Sequence, residues 1–134
     1  GDIPLLTRRL ETVSDWVRQR DDTGELALGY FGASTGAAAA LRAAAGREDV
    51  GAVVSRGGRV DMASQFLADV TAPTLFVVGG DDRDVLELNR EAYDQLTCEK
   101  RLEVVEGAGH LFEGEGELET VADLADDVFV DHLG

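Results

Sequence analysis

Leu26-Ala27-Leu28-Gly29-Tyr30-Phe31-Gly32-Ala33-Ser34-Thr35-Gly36-Ala37-Ala38-Ala39-Ala40-Leu41 changes character twice. Leu26 to Phe31 is a largely apolar run of strand length, and Gly32 follows it. Gly32 to Gly36 is a tight turn with Ser34 at its centre. Ala37 to Ala45 is an alanine-rich run of the highest helix propensity, and Gly46 ends it. The pattern is strand, sharp turn, helix. Alanine lets such a helix lie close against a sheet.

The same alternation extends in both directions. Residues 3–20 read as an amphipathic helix, with Leu6, Leu10, Val13 and Val17 at helical spacing. Asp2 caps it, Pro4 sits in its first turn, and the turn Asp21-Asp22-Thr23-Gly24 stops it. Val50 to Val54 is a second strand, followed by the loop Arg56-Gly57-Gly58-Arg59 and a short helix near 61–68. Pro73 precedes a third strand, Thr74 to Val78, which exits through Gly79-Gly80-Asp81-Asp82. Residues 84–97 are helical, with Val85, Asn89, Ala92 and Leu96 on one line. Leu102 to Val105 is a fourth strand and 107–116 a loop. Residues 117–133 form the last helix, with Leu118, Val121, Ala125 and Val128 inward. Trp16 and Phe129 lie on helical apolar faces and are expected in the core. Apolar strands alternating with helices predict an α/β fold in one domain over 1–134. Its parallel sheet of about four strands is covered by helices on both faces and joined by right-handed crossovers.

In open sheets of this kind, ligands bind beyond the carboxyl ends of the strands. Those ends carry Ser34 after the first strand, Ser55 and Arg56 after the second, Asp81, Asp82 and Asp84 after the third, and His110 after the fourth. A neutral serine needs an adjacent base to act as a nucleophile, and histidine titrates near neutrality. A carboxylate holds the imidazole in the required tautomer. Glycines two residues either side of Ser34 relieve crowding at a strand-to-helix reversal. The helix start below the serine offers free N–H groups, with Thr35 N–H the expected oxyanion donor. Against this, Ser34 reads as a helix cap and His110 as a loop histidine bonded to backbone. Asp81 and Asp84 read as caps of the helix that follows. Arg56 and Arg59 are candidates to hold a substrate carboxylate, or are surface charges. His132 reads as a surface or dipole-compensating residue at a helix end. No Gly-Lys-Ser/Thr follows the glycines, so a nucleotide P-loop is excluded. The acidic loop does not match a calcium-binding pattern, and no metal site is expected.

Asp and Glu total 27 against 12 Lys and Arg, a net charge of −15. That balance opposes nucleic acid and anionic membrane as partners. Lys100 is the single lysine. An acidic surface with almost no lysine points to a halophilic setting. Cys98 stands alone, so no internal disulfide is expected, and a reducing cytoplasm fits. No apolar run reaches the roughly 20 residues of a membrane span, and no secretory signal is visible.

The stretches GYFGASTGAAAAL (29–41), APTLFVVGGDDRDVLELN (72–89) and VVEGAGHLFEGEG (104–116) resemble the α/β-hydrolase superfamily. The closest likeness is to dienelactone-hydrolase-like proteins, over the C-terminal portion of their fold. The resemblance implies a triad of Ser34, Asp82 and His110. It implies hydrolysis of carboxylic esters, lactones or related acyl compounds, without a cofactor. Relatives of this type occur beside a phosphoribosyltransferase domain. Dienelactone hydrolase itself uses a cysteine nucleophile, whereas this turn carries serine. The family's sheet has about eight strands, and the loop after its third supplies a second oxyanion N–H. Neither those extra strands nor an HGGG-like segment is seen here. The nucleophile strand, 26–31, is then expected at an edge, covered by preceding strands or by a second copy in a homodimer. The alternative is a truncated domain with little catalysis that serves binding or assembly.

Overall fold

The computed structural model describes residues 2–20 and 27–133. The elements are α1 (Ile3–Gln19), β1 (Leu28–Ala33), α2 (Thr35–Ala44), β2 (Val50–Arg56), a 3₁₀ helix (Val60–Asp69), β3 (Thr74–Gly79), α3 (Arg83–Gln95), β4 (Lys100–Val105) and α4 (Glu117–Leu133). The expected turn at 21–24 and the start of the first strand at Leu26 lie outside the described residues. The four strands form one sheet in chain order, every neighbouring pair parallel.

β1, β2 and β3 run further toward their carboxyl ends than the apolar runs alone suggest, whereas β4 starts earlier, at Lys100, and ends at Val105 as expected. β1 reaches Ala33 and β2 reaches Arg56, because Gly32, Ala33, Ser55 and Arg56 pair across the sheet as a ladder. The short helix near 61–68 is a 3₁₀ helix from Val60 to Asp69.

Two apolar layers flank the sheet. On one face, α2 buries Ala37, Ala38, Ala39, Ala40, Ala43 and Ala44 against Tyr30, Val53 and Phe76, with Leu67 and Leu96 completing the layer. On the other face, Val121, Ala125 and Val128 of α4 meet Ala52, Val54, Leu75, Val77 and Phe112. β3 is buried along its whole length. A fully buried Leu, Val or Phe contributes roughly 1.5–3 kcal/mol, so β3 is the energetic spine.

Three burial expectations fail, each for a local reason. The buried face of α1 is Ile3, Thr7 and Ser14, with Leu6 and Leu10 only partly buried. Thr7 and Ser14 bury their hydroxyls by donating to Ile3 O and Leu10 O, both at 2.7 Å. Ser14 also shares a 2.5 Å hydrogen bond with the Tyr30 hydroxyl, which ties α1 to β1. Val13 is left 59% exposed, because it lines an open depression that α1 forms with Phe31 and Ala33 of β1. Trp16 is 55% exposed, its ring stacked under Arg20 at 4.6 Å instead of packed in the core. Leu118 is also exposed, since α4 meets the sheet only from Val121 onward. Phe129 does pack against the α4-side core.

Candidate active site

Ser34 joins β1 to α2 with φ 51° and ψ −124°. That is left-handed backbone, which in a residue with a Cβ stores of order 1–3 kcal/mol and persists only where the surroundings enforce it. Here they do. Ser34 N–H donates to Arg56 O at 3.3 Å, while Ser34 O accepts from Ala37 N–H at 3.2 Å and Arg59 N–H at 3.0 Å. A Cβ on Gly32 would lie 2.5 Å from Gly36 O and 2.7 Å from Ala37 Cα, so only glycine permits the turn. Gly36 differs from expectation: a Cβ there meets nothing within 4 Å. Crowding is relieved by the first glycine alone.

Ser34 and Asp82 both occupy helix N-cap positions, of α2 and α3, yet neither side chain caps its helix. Both are engaged by His110. Ser34 Oγ lies 2.8 Å from His110 Nε2, and Asp82 Oδ2 lies 2.7 Å from His110 Nδ1. An ionised carboxylate only accepts, so Nδ1 carries the proton and donates to Asp82. Nε2 is then free to accept the Ser34 hydroxyl proton. The capping reading of Ser34 is not met, and the N-cap of α3 is Asp82, not Asp81 or Asp84. Asp81 and Asp84 are exposed and stand apart from it.

The loops that carry these side chains are tied to each other. Asp81 N–H donates to Ala108 O at 2.9 Å, fixing the acid loop to the histidine loop. Gly57 has φ 54°, and a Cβ on it would stand 3.3 Å from His110 Nδ1. The ring therefore lies against bare backbone. Sequence reasoning missed Asn89, which it placed on an apolar helix line. Asn89 is wholly buried, and its Nδ2 donates to Gly58 O at 3.0 Å and Val85 O at 2.8 Å. A polar residue on an apolar helical line is the signal that would have found it.

Thr35 begins α2, and among the described residues its N–H has no acceptor, as befits a first-turn donor. Arg59 is engaged elsewhere: Nε and Nη2 hold Asp61 at 3.0 and 2.9 Å, which pushes the Arg59 pKa up. Arg56 stacks on Phe112. Ser55 is fully buried and takes no part in the relay. His132 pairs with Glu99 at 2.9 Å. A cavity of about 360 Å³ opens beside His110, lined by Leu111, Phe112, Glu113, Gly114 and Glu117 among others. Among the described residues no acidic, cysteine or histidine cluster is placed to hold a metal ion. No helix among them is long and apolar enough to cross a membrane.

No family model matches the chain. The crystal structure of dienelactone hydrolase from Anabaena variabilis superposes with a TM-score of 0.96 at 51% identity, over 99% of this chain and 62% of that one. The esterase domain of a Rhodothermus marinus protein matches at 0.80 and 15% identity, over 96% of this chain and 69% of that one. The monoacylglycerol lipase of Paleococcus ferrophilus matches at 0.76 and 16%, over 96% and 75%. These last two show the fold alone. Two curated relatives, from strains of Mycobacterium tuberculosis, are 56% identical over 133 residues and carry the provisional name phosphoribosyl transferase. The match spans 98% of this chain but only 30% of those proteins. In fold and in sequence the chain is similar to that dienelactone hydrolase, and it shares its fold with the esterase and lipase structures.

Proposed function

We propose that the chain is the catalytic part of a serine-dependent hydrolase acting on carboxylic esters, lactones or related acyl compounds. The observation that carries this reading is the continuous path Ser34 Oγ–His110–Asp82, with contacts of 2.8 and 2.7 Å. Ser34 attacks the acyl carbonyl as His110 Nε2 takes its proton. Asp82 stabilises the imidazolium that forms. The oxyanion develops against the Thr35 N–H at the positive end of α2. His110 returns the proton to the leaving oxygen, and water then repeats the sequence on the acyl-enzyme. The reaction draws on no cofactor. The provisional transferase name belongs to proteins of which this chain matches only 30%.

A fluorophosphonate probe tests the reading. Native protein is expected to gain the adduct on Ser34, and Ser34→Ala to gain none. Asp82→Asn is expected to keep the fold and lose on the order of 10⁴ in kcat, because the wrong tautomer is then held. Unchanged turnover in Asp82→Asn reassigns the acid. The open edge of β1 favours a second reading, a domain serving binding or assembly, and a folded protein that takes no label on Ser34 supports it.

A further inference from the structure

The loop from Arg56 to Arg59 meets both Ser34 and His110 through its backbone. Arg56 O accepts the Ser34 N–H at 3.3 Å, and Arg59 N–H donates to Ser34 O at 3.0 Å. Between them, Gly57 stands against the Nδ1 edge of the His110 ring, the edge that Asp82 Oδ2 holds at 2.7 Å. Gly57 lies in the left-handed region, with φ 54°, and its N–H donates to Val77 O at 2.7 Å. Gly58 passes so close to Ser55 Oγ that a Cβ on it would collide with that hydroxyl. Asn89 Nδ2 donates to Gly58 O at 3.0 Å, which ties the loop to α3.

Helix stability alone does not account for an asparagine at this place. Asn89 sits in the middle of α3, where asparagine is a poor helix former, and it is wholly buried. Its Oδ1 is buried without a hydrogen-bond partner, which costs free energy. Asp82 is the N-cap of the same helix, and the step from 82 to 89 is close to two helical turns, so both residues lie on one side of α3. The helix thus reaches the Nδ1 edge of His110 twice. Asp82 does so directly, and Asn89 does so by way of Gly58 and Gly57. The other ring nitrogen, Nε2, meets Ser34 Oγ at 2.8 Å. A ring fixed at one edge keeps its other edge in place, and a displacement of about 1 Å at a reacting atom can cost about 100-fold in rate. We propose that Asn89 is a positioning residue for the reaction of Ser34. Its bond to Gly58 O holds the Gly57 backbone as the seat of the His110 ring, and so keeps Nε2 within reach of Ser34 Oγ. The inference rests on the hydrolase reading above.

The test measures the rate constant and the final extent of Ser34 labelling by a fluorophosphonate in excess, with the far-downfield NMR signal of the His110 Nδ1 proton as a second readout. Asn89→Leu keeps the branching of the side chain and removes its donors. It is expected to label to full extent about 10- to 100-fold more slowly than the native protein, with the Nδ1 proton signal shifted or broadened. Asn89→Ser keeps a hydroxyl that can donate to Val85 O but is too short to hold Gly58 O, and it is expected to be slowed likewise. A melting curve checks that Asn89→Leu is folded; if it is not, Asn89→Ser decides. Leu96→Ala opens a cavity at the far end of α3, and is expected to lower the melting temperature while leaving the rate constant and the proton signal native. Three outcomes overturn the assignment while labelling of native Ser34 upholds the hydrolase reading: a native rate constant in the Asn89 variants, a loss of extent at a native rate constant, or equal slowing in Leu96→Ala. A folded native protein that takes no label overturns both.

Discussion

Two glycines flank Ser34 symmetrically in the sequence and are unequal in space. Gly32 is pressed against the backbone of Gly36 and Ala37, whereas Gly36 faces open room inside the first turn of α2. Gly32→Ala is therefore expected to break the turn, lowering the melting temperature and abolishing Ser34 labelling. Gly36→Ala is expected to raise stability by about 0.5–1 kcal/mol in denaturant unfolding, because alanine loses less backbone entropy in a helix. Equal damage from both would mean that the turn is crowded on both sides. The positions of Ser34 and His110 just past strand ends were legible in the residue string, and strand ends are where ligands bind in such sheets. The acid was narrowed to three aspartates by position and to Asp82 by resemblance. Only the fold tells them apart, because a choice among neighbours on one loop depends on where each side chain points.

At the scale of elements, α1 is held by polar contacts more than by its leucines. Arg47, just past α2, binds Asp49 through two nitrogens and Asp15 of α1 at 3.0 Å. Its guanidinium holds the Asp49 carboxyl below the usual carboxylate range, against the opposing effect of burial. A carboxylate whose folded pKa is depressed stabilises the protein above its unfolded pKa, near 3.8, and that stability is lost as pH falls through the folded value. Asp49→Asn is expected to flatten the fall in stability below about pH 4, read as urea midpoints across an acid series. An unchanged slope would dismiss the Arg47 pair as a source of acid sensitivity.

The edge of β1 belongs to the same scale. Phe31 is 51% exposed, and beside it Leu6, Leu10, Val13, Ala33 and Gly36 line an apolar depression of about 400 Å³. Among the described residues β1 pairs on one side only, with β2. An apolar strand edge of this kind templates further pairing. Light scattering of the 134-residue chain is expected to show self-association that Phe31→Asp reduces. A native chain that stays monomeric at high concentration contradicts this.

For the whole molecule, charge dominates. Glu119, Asp123, Asp127 and Asp131 follow one another at intervals of four along the exposed side of α4. Like charges at that spacing repel, and the excess of acids adds to the effect. Raising salt shortens the Debye length from about 30 Å at 0.01 M to about 3 Å at 1 M. The melting temperature is expected to rise steadily over that range, and full stability in dilute buffer would remove the halophilic interpretation.

The sequence by itself determined the order of elements, the parallel sheet and the presence of Ser34 and His110 at strand ends. Local propensity and apolar periodicity operate over a few residues, and these features depend on little else. Tertiary structure alone decided that α1 buries Thr7 and Ser14 in place of Val13, that Asn89 serves the loop beneath His110, and that Arg59 is committed to Asp61 while Arg56 is not. Those outcomes depend on which groups, distant in the chain, share a few ångströms of space. The turn that carries Ser34, the proposed nucleophile, was readable because a strand, a turn and a helix are local. What surrounds it was not, because the partners arrive from three other strands.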